Sequence, residues 1–254
     1  MIKKKMKPSK IAALTGVMAA VYYVFLWLPG IPAIGIPKVK IDLGASFAPI
    51  LGLLLGPYLG FLAALLGDLV KVYTPPSVHG LPFVLCPPVS AFAAGYITRG
   101  KWKIPFILLI ILLVASMFTP VFYPITSYGY IYLLGFFDKI IALILIPISA
   151  YLVKKNKKPQ FHVALFLAMF IGNETDATLG NLVFSLPIVY EGIFGVPSAE
   201  VVRGLFTLSP LVYPAIRLIQ AFIGYIIALP LLKVLSRITV LREFIQLKEF
   251  EGKV

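Results

Sequence analysis

Cysteine and histidine are scarce in this sequence of 254 residues. The single cysteine, Cys86, excludes an internal disulfide bond and a cluster of thiolate metal ligands. The two histidines, His79 and His162, are too few and too far apart along the chain to predict a dedicated metal cage. We therefore expect no metal and no cofactor, and redox chemistry is not predicted.

Charged residues are also few. They make up 13% of the chain, whereas 60% of the residues are hydrophobic and the mean hydropathy is +0.97. Such a composition excludes an ordinary soluble domain and predicts an integral membrane protein. The formal net charge of +13 would suggest a nucleic-acid partner in a soluble protein. Here the basic residues lie between apolar segments, so we expect a lipid bilayer and no nucleic acid.

Eight apolar segments predict an all-α bundle of about eight transmembrane helices in a single domain, 1–254. They lie at about 11–28, 45–56, 58–73, 82–98, 104–122, 131–153, 161–188 and 208–236. Basic residues cluster around 3–10, 99–103, 154–158 and 233–253. Eight crossings place all four clusters in the cytoplasm, together with the N-terminal segment 1–10 and the tail 237–254, as the positive-inside rule requires. The predicted outer loops are then at about 29–44, 74–81, 123–130 and 189–207, and they are rich in proline, glycine and tyrosine.

Two alternatives concern the number of crossings. The stretch 45–73 is either one broken span or two spans joined by a tight hairpin at Gly56-Pro57, and only the hairpin keeps the C-terminal basic cluster inside. The first segment is either a span or a signal peptide with a cleavage site near Ala33-Ile34-Gly35. Its apolar run exceeds the usual length of roughly 7–15 residues, which favours a span.

Polar residues inside the seventh and eighth segments predict a binding site. Asn173, Glu174 and Asp176 interrupt the apolar run 161–186. A charge at the bilayer centre costs roughly 3 kcal/mol, so these side chains should face protein, a wet cavity or a cation. Arg217, about nine residues or roughly 13 Å into the last segment, is the expected partner of Glu174 and Asp176.

Helical spacing groups further polar residues into faces. In the last segment, one face carries Tyr213, Arg217, Gln220 and Gly224. In the seventh segment, Asn173 and Asp176 share one face, and Glu174 shares another with Asn181. Asp68, three residues before Lys71 in the third segment, should either join the pocket or pair locally with that lysine.

A stripe of small residues occupies one face of the first segment. Ala12, Gly16 and Ala20 are spaced four residues apart, which lets another helix approach closely. The partner of this stripe is either another helix of the same bundle or a separate membrane subunit. Spacing alone favours the first possibility.

The chain resembles the substrate-binding S components of energy-coupling factor (ECF) vitamin transporters. The resemblance is carried by the A-x-x-x-G-x-x-x-A pattern of the first segment, IDLGASFAPI from residue 41 and LLGPYLGFLAALLGD from residue 54. It continues through GNETDATLGN from residue 172 and PAIRLIQ from residue 214. It implies a six-helix core, to which the segments at about 104–153 would be an added pair.

The resemblance also implies a function and a cellular setting. An S component is a multi-pass protein of the prokaryotic cell membrane that captures a vitamin-like small molecule from outside. A separate ECF transmembrane coupling subunit and a pair of cytoplasmic ATPases supply the energy. On this chain, Ala12, Gly16 and Ala20 would form the face that docks on the coupling subunit.

The predicted substrate-binding residues lie mainly in the last two spans, under the loop at about 29–44. They are Asn173, Glu174, Asp176, Asn181, Tyr213, Arg217, Gln220, Asp68, His79 and Tyr190. If the pair of Arg217 and Asp176 is only structural, the pocket moves to the outer loops near Lys38, Asp42, His79 and Tyr190. Riboflavin, thiamine, biotin, folates and deazapurines remain open as ligands.

Two other functions also use carboxylates within the membrane. An ion-coupled secondary permease also needs carboxylates in the membrane, but it typically shows internal repeats, and GNETDATLGN has no second copy. An intramembrane enzyme would need a catalytic setting that Asp68 and Asp176 lack. The segment from Gly95 to Lys101 copies the start of a P-loop, but Trp102 replaces the required Ser or Thr. We therefore expect neither catalysis nor ATP binding.

Overall fold

The computed structural model describes residues 7–33, 36–155, 157–208 and 210–236. The lysines predicted to anchor the N-terminus at 3–5, part of the alternative cleavage site at 34–35 and the predicted tail 237–254 lie outside the described residues. The helices, in chain order, are α1 (Pro8–Phe25), α2 (Ala48–Leu55), α3 (Pro57–Tyr73), α4 (Cys86–Ile97), α5 (Lys103–Met117), α6 (Ile125–Lys154), α7 (Lys158–Phe184), α8 (Pro187–Tyr190), α9 (Ala199–Leu208) and α10 (Val212–Ser236).

Each of the eight predicted apolar segments contains a helix. Within the described residues, three helical stretches are long and apolar enough to cross a membrane: Pro8–Phe25, Ile125–Lys154 and Val212–Leu235. Shorter apolar helices occupy Leu43–Leu55, Leu81–Ile97 and Lys103–Met117. The structure therefore supports a helical membrane protein, while the number of crossings and the side on which the termini lie stay predictions.

Two predicted loops contain regular structure. The loop at 29–44 forms an antiparallel hairpin of β1 (Ile31–Ala33) and β2 (Ile36–Ile41), in which Ile31 pairs with Ile41, so the fold is not wholly α-helical. A short 3-10 helix, Leu43–Phe47, leads from this hairpin into α2. The predicted loop at 189–207 contains α9, and the last span begins only at Val212. Arg217 is consequently five residues into its helix, or roughly 7.5 Å, whereas the sequence predicted a position about nine residues into the last segment.

The predicted hairpin at Gly56-Pro57 is present. Helix α2 ends at Leu55 and α3 begins at Pro57, which has the fixed φ suited to the first turn of a helix. Gly56 between them has a φ of +89°, a conformation that side-chain-bearing residues rarely adopt. The chain therefore reverses within one residue.

Glycines bring the backbones of α2, α3 and α4 into direct contact. A Cβ atom on Gly60 would lie 2.7 Å from the Cα atom of Gly52, and one on Gly52 would overlap the carbonyl oxygen of Ala91. A Cβ atom on Gly95 would lie 2.7 Å from the Cα atom of Pro57. Arg99 fastens the same region, since its Nη1 donates hydrogen bonds to the carbonyl oxygens of Gly52 (3.1 Å) and Gly95 (2.9 Å).

Helix α7 lies at the centre of the bundle, where it packs against α4, α5, α6 and α10. Its residues from Ala168 to Thr178 are all buried, so the polar residues 173–176 face protein. The predicted extra pair, α5 and α6, packs directly on α7. This arrangement lets side chains of α6 and α10 reach the polar centre of α7 from different sides.

Candidate ligand-binding site

A cavity of about 280 Å³ lies among α3, α4, α6, α7, α9 and α10, next to the end of the β-hairpin. Six charged residues of the described ranges line it: Asp42, Asp68, Lys71, Lys139, Asp176 and Arg217. The rest of the wall is mostly apolar and includes Phe83, Phe184 and Phe206. A small cavity with an apolar wall and a few convergent polar groups is typical of a site for a small molecule.

The predicted partners Asp176 and Arg217 meet at this cavity. Arg217 Nη1 lies 3.6 Å from Asp176 Oδ2, and the two side chains keep 13% and 11% of their surface exposed. The same Nη1 donates a hydrogen bond to Gln220 Oε1 (2.8 Å), one turn further along α10. Gln220 Nε2 in turn donates to the carbonyl oxygen of Asp42 (3.0 Å). These bonds position the guanidinium and fasten α10 to the segment that follows the hairpin.

Glu174 does not pair with Arg217, contrary to our expectation. Its Oε2 lies 3.6 Å from Nζ of Lys139 on α6, and its side chain is fully buried away from the cavity. The reason is helical geometry: two residues along a helix rotate a side chain by about 200°, so Glu174 and Asp176 point to opposite neighbours. Glu174 therefore faces α6, whereas Asp176 faces α10.

Sequence reasoning missed Asp138 and Lys139. Lys139 Nζ lies 2.7 Å from Asp138 Oδ2, and both residues are 3% exposed. Lys139 also lines the cavity. The available signal was the same one that singled out Asp176, namely charged residues inside an apolar run, here 131–153. The structure thus shows an enclosed charge cluster of Asp138, Lys139 and Glu174 behind the cavity.

The remaining predicted residues of α7 and α10 divide into two groups. Asn181 and Tyr213 line the cavity, and Asn181 Nδ2 donates to the carbonyl oxygen of Gly135 (3.4 Å). Asn173 is fully buried away from the cavity, and its side-chain nitrogen and oxygen have no hydrogen-bond partner within the described ranges. Gln220 is not among the lining residues, but it accepts a hydrogen bond from Arg217, which lines the cavity.

Asp68 lines the cavity and does not pair with Lys71. The Nζ atom of Lys71 lies 3.4 Å from the centroid of the Trp27 ring, at the distance of a cation–π contact. Asp68 is 8% exposed, and in the described part of the chain its Oδ2 has no hydrogen-bond partner. Of our two expectations for Asp68, membership of the pocket agrees with this geometry.

The two predicted loop residues, His79 and Tyr190, are not among the residues that line the cavity. The ring centroid of His79 lies 5.3 Å from that of Phe194, and Tyr190 is 2% exposed. Burial raises the pKa of the Tyr190 phenol, and the neighbouring Glu191 carboxylate raises it further. A role for either residue in binding stays a prediction.

Helix α9 closes one side of the cavity. It contributes Leu205 and Phe206 to the wall. Arg203 holds the helix to the connection between α5 and α6, where its Nε donates to the carbonyl oxygen of Val121 (2.8 Å) and its Nη2 to that of Pro120 (2.8 Å). The same guanidinium lies 3.6 Å from the centroid of the Tyr128 ring.

The small-residue stripe of α1 lies on the surface of the described part of the bundle. Ala12, Gly16 and Ala20 are exposed, and a Cβ atom added to Gly16 would meet nothing within 4 Å. Thr15 and Ala19, on the opposite side, are buried. The expectation that the stripe packs within the bundle is therefore wrong for these three residues.

Together, the helical bundle, its apolar spans and the charged cavity define a helical membrane protein with a cavity of the kind that suits a small molecule. Residues 6–143 match the family described as ECF transporter, substrate-specific component, and the chain belongs to this family. The matched range includes α5 and part of α6, whereas Asp176 on α7 and Arg217 on α10 lie beyond it.

One curated relative is an uncharacterized protein of Methanocaldococcus jannaschii. It is 33% identical to this chain over 156 residues, which cover 59% of this chain and 50% of the relative. The chain thus spans about half the length of the curated relative that it matches. No solved structure matches the chain.

Proposed function

We propose that this protein is the membrane-embedded substrate-binding subunit of an ECF-type importer and that its ligand, a vitamin or similar small molecule, binds in the cavity described above. The observation that carries the proposal is the pair of Asp176 and Arg217, which meets at a cavity large enough for a small molecule. Charged groups inside a membrane protein are expensive and mark functional sites by default.

The position of the cavity supports capture from outside. Its wall includes Ile41 and Asp42 from the first predicted outer loop, Gly80 from the second, and Leu205 and Phe206 from the last. These loops lie opposite the four basic clusters of the sequence, which the positive-inside rule assigns to the cytoplasm. We therefore propose eight crossings within a single domain, with both termini in the cytoplasm and the cavity in the outer half.

The exposed stripe of α1 supports the second part of the proposal, the docking of a coupling subunit. Ala12, Gly16 and Ala20 leave the backbone of α1 open along one face, and small residues at this spacing allow two membrane helices to approach closely. The stripe faces away from the side of α1 that packs on the bundle. Docking there would leave the cavity wall intact.

Native mass spectrometry of the detergent-purified protein tests ligand capture. We expect an additional mass in the range of a vitamin, which is released when the protein is denatured. The Arg217→Ala variant should carry little or none of it, and Glu200→Gln, which changes an exposed residue of α9, should carry as much as the unaltered protein. Equal retention by all three proteins would contradict the proposed site.

Liposome transport tests the need for partner subunits and the rival function. The lone chain should neither hydrolyse ATP nor accumulate the ligand, and accumulation should begin when the coupling and ATPase subunits are added. A proton or sodium gradient should make no difference to the lone chain. Gradient-driven accumulation by this chain alone would instead identify an ion-coupled secondary permease.

A further inference from the structure

The acidic residues of this basic protein are concentrated at the cavity. The chain has 10 acidic and 23 basic residues. Among the described residues, Asp42, Asp68 and Asp176 line the cavity, and Asp138 and Glu174 contact Lys139 directly behind its wall. Half of the acidic residues of the chain are thus at this site, whereas the described ranges place three basic residues there, Lys71, Lys139 and Arg217.

Each of the three cations already has a partner within the protein. Lys139 lies between the carboxylates of Asp138 and Glu174. Arg217 contacts Asp176 and Gln220, and Lys71 lies over the ring of Trp27. Positive charge at the cavity is therefore largely used in contacts within the protein, which does not favour an anionic ligand.

Among the described acidic residues at this site, Asp68 lacks the contact with a lysine or an arginine that Asp138, Glu174 and Asp176 make. It is more than nine-tenths buried, it lines the cavity, and its Oδ2 accepts no hydrogen bond from any described residue. A buried carboxylate without a partner is costly, and the cost is relieved by any bound group that brings a donor or a positive charge. The phenyl rings of Phe83, Phe184 and Phe206 elsewhere in the wall suit an apolar or aromatic body, and their faces attract cations.

We propose that the ligand is a small organic cation, such as a compact ring that bears an ammonium group, and that Asp68 binds its positive group. The inference rests on the proposed function, since it names the chemical class of ligand for the same cavity. The volume of about 280 Å³ is at the small end of the usual range for ligand pockets, which favours a ligand with one ring.

A matched set of three probes tests this inference: benzylamine, benzyl alcohol and benzoate. They are similar in size and differ in charge. Binding to the detergent-purified protein is measured from the rise in unfolding temperature during titration. Benzylamine should bind at least about tenfold more tightly than the alcohol, as a charge-assisted hydrogen bond would provide. Asp68→Asn should remove the preference, and Glu200→Gln should retain it.

The outcomes separate the inference from the function on which it rests. A preference for benzoate or benzyl alcohol, or a cation preference that survives in Asp68→Asn, overturns the role of Asp68 and leaves small-molecule capture standing. If Asp68→Asn does not fold, two other measurements test the inference. Tighter binding of benzylamine than of the other probes to the unaltered protein, together with a positive net charge on the co-purified molecule, would support it, and the opposite results would overturn it. If no probe binds and no small molecule co-purifies, the proposed function fails as well.

Discussion

Two groups of small residues in this protein have opposite surroundings. Gly52 on α2 and Gly60 on α3 lie on either side of the break at Gly56, and neighbouring backbone atoms leave no room for a side chain at either position. On α1, Ala12, Gly16 and Ala20 are four residues apart on one face, and a Cβ atom added to Gly16 would meet no described atom within 4 Å. The comparison teaches that small residues permit the close approach of two backbones, and that only the surrounding fold shows whether this approach has already taken place.

The same contrast holds for buried charge. Lys139 is enclosed by two carboxylates, and the side chains of the cluster are between 0% and 4% exposed. Arg217 and Asp176 keep somewhat more exposed surface and line the cavity. We infer that the enclosed cluster serves the structure of the bundle and that the cavity pair is available to a ligand.

The largest effect is expected at the occupied glycines. Gly52→Leu would force a side chain into the backbone of Ala91 on α4, which cannot move without displacing the whole helix. We expect a loss of about 3 kcal/mol or more of stability, at the upper end for overpacking. Thermal unfolding in detergent measures it. An unfolding temperature within a few degrees of the unaltered protein would show that the α2–α4 contact is looser than the structure has it.

Lys139→Met should have the next largest effect, because it leaves Asp138 and Glu174 together without their cation. Removal of one partner from a buried ion pair costs about 3–5 kcal/mol when the remaining charge stays unpaired. Protonation or repacking of the carboxylates reduces that cost, so we place this variant below Gly52→Leu. Lys155→Met, which alters an exposed lysine just after α6, is the matched control and should leave the unfolding temperature unchanged.

Arg217→Ala should affect binding more than folding. The variant removes the guanidinium that positions Asp176 and Gln220 at the cavity wall, so the wall loses its shape and ligand affinity should fall by at least about a hundredfold, with a smaller loss of stability. Isothermal titration with the co-purified ligand measures the affinity. Adding Asp176→Asn should restore stability without restoring affinity, and recovery of both would make the pair purely structural.

The smallest effect on stability is expected for Gly16→Leu. The added side chain meets nothing within the bundle, so the unfolding temperature and the ligand affinity should change little. Assembly with the coupling subunit should nevertheless be lost, since the stripe would no longer admit a helix. Co-purification measures assembly. Unchanged assembly, or a collapse of stability comparable to that of Gly52→Leu, would remove the contrast between the two groups of small residues.

The sequence predicted the helices well because their signal is local. Apolar runs located helices at all eight segments, and Gly56-Pro57 located the break between α2 and α3. Helix α9 was missed because glycine and proline around 189–207 suggested a loop, although Val202 and Phe206 of that helix are buried. Local composition indicated where a connection between two spans lies, but it did not show that this connection includes a helix.

The site was less predictable, since it depends on which helices become neighbours. Spacing correctly put Glu174 and Asp176 on different faces of α7, yet it did not show that α6 would meet one face and α10 the other. Lys139 was missed because the hydropathy of its long helix hides a pair of opposite charges. His79 and Tyr190 were predicted from their positions in loops, and the path of a loop follows from tertiary contacts that no local pattern records.

The attachment of α9 through Arg203 links access to the cavity with the added helix pair. Any motion that withdraws Phe206 from the cavity must either break the two hydrogen bonds from Arg203 to Val121 and Pro120 or carry the start of α6 along. Hydrogen bonds to a charged group contribute roughly 1.5–3 kcal/mol each. The guanidinium thus ties α9 to the connection between α5 and α6, and we expect any displacement of Phe206 to be coupled to that connection.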